Sequence, residues 1–142
     1  MSKAFVNEDA AVDEEQALPV RPAPLPITPR GLEELRDELA SLEKSTWRAR
    51  VIAQVLESVI VRAPALQSGG AGFGCVVVVA HEDGARRTYE IVGPDEARPE
   101  RGRVSVTSPL ARALLGQKPG ALVTVKKPKG DEELEIVDVR GA

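Results

Sequence analysis

The chain is poor in the residues that most often carry chemistry. Cys75 is its single cysteine and His81 its single histidine. That leaves no disulfide framework and no histidine–cysteine cluster for a metal. Cys75 lies inside the apolar run Phe73–Ala80, which suits a buried small hydrophobe better than a nucleophile. Only Phe5, Trp47, Phe73 and Tyr89 are aromatic, so a core drawn from the 42% hydrophobic residues must be aliphatic. Basic charge is also short: 19 Lys and Arg stand against 22 Asp and Glu, a net charge of −3. Such a balance gives no electrostatic footprint for tight non-specific nucleic-acid binding and points to a protein partner. No apolar segment approaches the roughly 20 residues that cross a bilayer, and the opening MSKAFVNEDAAVDEEQ lacks a signal core. A cytoplasmic protein without membrane contact is the expectation.

Residues 1–28 carry Glu8, Asp9, Asp13, Glu14 and Glu15, then Pro19, Pro22, Pro24 and Pro26. Too little apolar area is available there to offset ordering entropy, so the segment reads as a disordered, then extended, tail. Thr28-Pro29 starts a helix, as cap and first helical residue. Leu32, Leu35, Leu39 and Leu42 form its narrow apolar stripe, and it should run to about Lys44. Ser45 or Thr46 can cap a second helix from Trp47 to about Ser58, giving a short antiparallel hairpin over residues 29–60. A second arrangement stays open: no glycine or proline interrupts Leu32–Ala63, and one long helix could pair with its copy in a homodimer through Leu32–Ile60. Trp47 either closes the small helical core or is an exposed anchor for a partner.

From residue 61 to 142 the pattern turns to β structure. Gly69, Gly70 and Gly72 keep the loop Pro64–Gly72 flexible, and it opens into a strand, so it is no phosphate-binding loop. Phe73–Ala80 suits a strand covered on both faces, Glu82-Asp83-Gly84 a tight turn, and Arg86–Val92 its antiparallel return. His81 reads as a solvated turn residue. Arg103–Thr107 is the next strand. Ser108 then caps a short helix with Pro109 at its first position, Leu110, Leu114 and Leu115 on its apolar face and Gly116 at its end. Ala121–Lys127 and Glu133–Val139 alternate as two more strands. The fold class is therefore α+β, a short N-terminal helical hairpin followed by an antiparallel sheet with one short helix. Ser105 and Ser108 have no base beyond distant His81, and no pair of acids stands out as an acid–base dyad, so an enzyme is not indicated.

The string Ile91-Val92-Gly93, Asp95-Glu96-Ala97, Ser108-Pro109-Leu110-Ala111-Arg112-Ala113-Leu114-Leu115-Gly116 and Pro119-Gly120 resembles the C-terminal domain of the GreA/GreB transcription elongation factors. Weaker similarity runs from about Pro26 to Val139. The resemblance implies an FKBP-like sheet domain and a docking partner, the rim of the bacterial RNA polymerase secondary channel. Contact with nucleic acid is then expected only within the polymerase complex. It also implies the contact residues: Asp95, Glu96, Thr107, Ser108, Pro109, Leu110 and Arg112. In cleavage-stimulating members an acidic hairpin tip helps hold the catalytic metal of the polymerase. Here Leu42–Val55 offers only Glu43, followed by Lys44, Arg48 and Arg50. A first helix of about sixteen residues would span only ~24 Å. No stimulation of transcript cleavage is expected, and no cofactor or metal of the protein's own. Prolyl isomerase activity, known for the FKBP-like fold, is not expected either, because only Phe73 and Tyr89 could line an aromatic pocket.

Overall fold

The computed structural model describes residues 24–141 together with Leu18 and Arg21. Of the tail expected over residues 1–28, residues 1–17, 19, 20, 22 and 23 lie outside the described residues. Strand β1 (Leu25–Ile27) leads into α1 (Pro29–Ala40), and α2 (Trp47–Ser58) returns into strand β2 (Val59–Val61). The Thr28 side chain accepts a hydrogen bond from the Gly31 N–H at 3.0 Å, with Pro29 at the first helical position, as its sequence predicts. Helix α1 stops at Ala40, four residues before the expected end. There the Ser41 hydroxyl donates to the Glu38 carbonyl at 2.8 Å, and the Leu42 N–H bonds the Leu39 carbonyl, tightening the last turn. Thr46 caps α2 by accepting from the Ala49 N–H at 3.2 Å. The stretch is thus a hairpin and not one long helix.

Ile27, Leu35, Ile52 and Val55 form the hairpin core, flanked by half-buried Leu32, Leu39, Leu42, Val51, Leu56 and Val59. Strands β1 and β2 close its base as a parallel pair, Leu25 opposite Val59 and Ile27 opposite Val61. Ile27 is fully buried, so the end of the proline-rich segment is structured, not tail.

The second part is a five-stranded sheet. Strands β3 (Val76–Ala80), β4 (Arg86–Val92), β5 (Arg103–Ser105), β6 (Leu122–Val125) and β7 (Glu132–Arg140) take the order β5-β4-β3-β7-β6. Pairing is antiparallel throughout except between β4 and β5, which run parallel with Ile91 opposite Val104. Helix α3 (Pro109–Leu114) covers one face and seats Ala111 and Leu114 on Val77, Val79, Ile91, Val123, Leu134 and Ile136. Along β3, Val77 and Val79 are fully buried, while Val76, Val78 and Ala80 are half-buried. The strand is therefore covered on one face, not both.

The glycine loop is held, not loose. Ala71 N–H bonds the Gln117 carbonyl at 2.9 Å, and a Cβ at Gly70 would meet the carbonyl oxygens of Gly116 and Gln117 at 2.5 Å. Glycine serves close backbone approach there.

Candidate functional site

Five of the seven expected contact residues gather at the start of α3. Strand β5 ends at Ser105, two residues before the predicted Thr107. The Ser105 Oγ takes the Thr107 N–H at 3.2 Å and lies 2.8 Å from the Thr107 hydroxyl, turning the chain out of the sheet. Ser108 then caps α3, its Oγ accepting from the Ala111 N–H at 3.2 Å. Leu110 is half-buried against the sheet core, whereas Thr107, Pro109 and Arg112 are exposed. The Arg112 side chain has no hydrogen-bond or ion-pair partner among the described residues, while its N–H bonds the Ser108 carbonyl at 2.9 Å. The surface at this helix start is a free cation, a hydroxyl and a proline ring on a rigid turn. Beside it, a cavity of about 190 Å³ is lined by Arg62, Leu66, Phe73, Val106 and Leu115 among others, with the Arg62 guanidinium 5.3 Å from the Phe73 ring centre.

Asp95 and Glu96 are placed differently, in the 3-10 turn Pro94–Glu96 that follows β4. Glu96 is 5% exposed. Its Oε2 accepts the Thr28 N–H at 2.7 Å and the Gly93 N–H at 2.9 Å, and its Oε1 lies 2.5 Å from the Thr28 hydroxyl. Asp95 receives a bidentate bond from Arg21 at 2.8 Å to each oxygen, and Arg21 Nε donates to the Ser58 hydroxyl at 2.6 Å. The hydrogen bond to Asp95 raises the Arg21 pKa further above its usual value. These two acids were expected to face a partner. Their carboxylates instead turn inward to the legs of the hairpin, because each finds directed donors there.

At the far end of the hairpin, Glu43, Lys44, Ser45 and Thr46 are exposed. With 12 residues in α1, the leg is about 18 Å long, shorter still than its sequence predicts. Just below the turn, Arg48 grips Glu38 with Nε at 2.7 Å and Nη2 at 2.9 Å and lowers the carboxyl's pKa through those bonds. Trp47 remains 39% exposed. Among the described residues no three His, Cys, Asp or Glu side chains are grouped to hold a metal ion. None of the described helices is long and apolar enough to cross a membrane.

His81, expected as a solvated turn residue, is a packed one. Its Nδ1 lies 2.6 Å from Glu132 and its Nε2 3.4 Å from the Tyr89 hydroxyl, with the side chain 11% exposed. Lys127 and His81 together hold the Glu132 carboxyl down to about 2, Lys127 contributing most. Neither Arg21 nor Thr28 was singled out from the sequence for this site. The readable signal was Glu96 three residues after Gly93, with Pro94 between, the spacing at which a third-position glutamate reaches back to a capping N–H.

The molecule is thus a two-part protein, a short helical hairpin standing on an α+β sheet domain whose one short helix offers an exposed, capped start. The model of the family described as "Transcription elongation factor, GreA/GreB, C-term" matches residues 66–141. The chain is 36% identical to the transcription elongation factor GreA of Alkalilimnicola ehrlichii, over 82% of this chain and 97% of that one. GreA of Methylococcus capsulatus is 35% identical over 81% of this chain and 96% of its own. Among solved structures, GreA factor homolog 1 of Thermus thermophilus aligns with 83% of this chain and 99% of its own, at 22% identity and a TM-score of 0.46. The chain belongs to the GreA/GreB transcription elongation factor family.

Proposed function

We propose that this protein is a Gre-type transcription elongation regulator that docks on bacterial RNA polymerase at the rim of the secondary channel and does not stimulate transcript cleavage. The hairpin carries this reading: a leg of about 18 Å ends in a turn whose only acid is Glu43, beside Lys44. A hard cation requires several oxygen ligands, and one carboxylate next to an ammonium group supplies too few. Docking falls to the exposed Thr107, Pro109 and Arg112, held by the Ser108 cap and the packed Leu110. Asp95 and Glu96 hold the base of the hairpin and leave the contact to the α3 start. The protein acts as a binding factor, without chemistry of its own, in the cytoplasm where the polymerase works. A dimeric interaction module built on Leu32–Ile60 has less in its favour, since Leu35 is 5% exposed and packs with Ile52 and Val55 of the same chain.

The test is competition between this protein and a full-length Gre factor for core polymerase, followed by a cleavage assay on a backtracked complex. Binding with mutual displacement and no stimulated cleavage is the expected result. Stimulated cleavage would overturn the non-cleaving part of the proposal, and absence of binding the docking part.

A further inference from the structure

The hairpin and the sheet each close their own apolar core, and neither core lends a buried residue to the other. Apolar burial is non-directional, so the angle at which the hairpin leaves the sheet domain must be set by something else. The polar groups at its base have the right properties. One carboxylate, that of Glu96, accepts the Gly93 N–H at the end of β4 and the Thr28 N–H at the start of α1, both through Oε2. Its Oε1 accepts from the Thr28 hydroxyl, whose oxygen in turn accepts the Gly31 N–H. Three donors, two of them backbone N–H groups of fixed direction, thus meet at one buried carboxylate, an arrangement in which hydrogen bonds are strong and specific in geometry. The fit is close: a Cβ at Gly31 would run into the Glu96 carboxylate, and a Cβ at Gly93 into the Pro26 carbonyl. The same 3-10 turn also holds the other leg, since Asp95 binds Arg21 and Arg21 binds Ser58, the last residue of α2.

We propose that Glu96 is a positioning residue that fixes the direction of the helical hairpin relative to the sheet domain, with Asp95 and Arg21 as its second arm. The lever is long: a 10° tilt at the base moves the end of α1 by about 3 Å. This role goes beyond the docking reading and does not depend on it, since it concerns the free protein.

The test places spin labels on cysteines introduced at Ser45, in the hairpin turn, and at Lys129, in the β6–β7 turn, both exposed. Cys75 is fully buried and shielded from the label. Pulsed distance measurements on the full chain should give one narrow distribution. Glu96→Ala should broaden it or shift it by several ångströms, while amide exchange at Val77, Val79 and Ile136 still reports a folded sheet. The same substitution at exposed Glu100 should leave the distribution narrow. A folded Glu96→Ala protein that is less stable but keeps the original distribution has lost only generic stability, and that result overturns the proposal. If Glu96→Ala does not fold, Asp95→Ala decides: it frees Arg21 and with it the tie to Ser58, so a broadened distribution supports the role of this turn and an unchanged one overturns it.

Discussion

The hairpin and the sheet domain solve the same problem at different scales. In the sheet domain, ten buried residues from four strands, α3 and the loop before β3 interlock, and α3 presses its Ala111 and Leu114 onto the centre. In the hairpin, four buried residues suffice, helped by half-buried leucines and a two-strand clasp at the base. The larger unit can lose a bond at its rim and keep its shape. The smaller one depends on its ends, where Thr28, Thr46 and the β1–β2 pair hold it shut. Between the two lie a buried carboxylate and two partly exposed ion pairs: Arg30 to Glu90 at 2.9 Å and Arg103 to Glu34 at 2.9 Å. The lesson is a division of labour in which apolar surface supplies stability within each part and polar geometry supplies the relation between them. Partly exposed pairs of this kind are each worth about 0–1 kcal/mol and fade with salt, so they trim the joint and do not make it.

The widest contrast comes from truncating one residue in each core. Leu134→Ala in the sheet and Ile52→Ala in the hairpin should each cost about 2–5 kcal/mol. Their signatures should differ. Urea unfolding of Ile52→Ala followed through Trp47 should precede unfolding followed through sheet amides, whereas Leu134→Ala should lower both together. Coincident transitions in Ile52→Ala would mean that the two cores melt as one, and the contrast would fall.

At the α3 start, Arg112→Ala should weaken polymerase binding about tenfold, or ~1.4 kcal/mol. The side chain is exposed and unpartnered, so stability should move by no more than about 0.5 kcal/mol. Equal losses in stability and binding would return Arg112 to a structural role. At the hairpin tip, Thr46→Ala removes the α2 cap and should lower stability by about 1 kcal/mol, seen as faster amide exchange at Ala49.

The smallest effect is electrostatic. Glu132 should titrate near about 2 by carboxyl NMR, and Lys127→Ala should move it up toward the ordinary carboxylate range. A carboxyl whose pKa is depressed on folding favours the folded state above its unfolded pKa. That contribution should fade as pH falls from the ordinary carboxylate range through about 2, and less so in Lys127→Ala.

The parts of this design written in short stretches of chain could be read from them. Thr28-Pro29 and Ser108-Pro109 announce helix starts because cap and proline act within three residues of each other. Thr46 breaks the helical run for the same reason. The last two strands follow from alternation, β3 from its apolar run, and the aliphatic core from the lack of rings. What was not legible depends on partners far along the chain. The parallel pairing of β5 with β4 leaves no mark on a three-residue strand, since alternation is the same in either direction. Thr28 and Glu96 are 68 residues apart, and Glu96 sits in a run of charges that looks like solvated surface. His81 and Glu132 are 51 residues apart, so burial of the histidine could not be inferred from its neighbours. Of the expected contact residues, the α3 start stayed on the surface because its roles are local. The two acids moved inward because their roles are not.

The turn between the helices has consequences for how such a protein changes over generations. Each leg is closed off by its own hydroxyl residue, Ser41 on one side and Thr46 on the other, and Glu43 to Thr46 lie wholly at the surface. Whole helical turns can therefore be inserted into or deleted from both legs together, and the tip rewritten, with the base left intact. Reach and tip chemistry are thereby open to selection separately from the sheet domain, which makes the hairpin an interchangeable cartridge on a fixed mount.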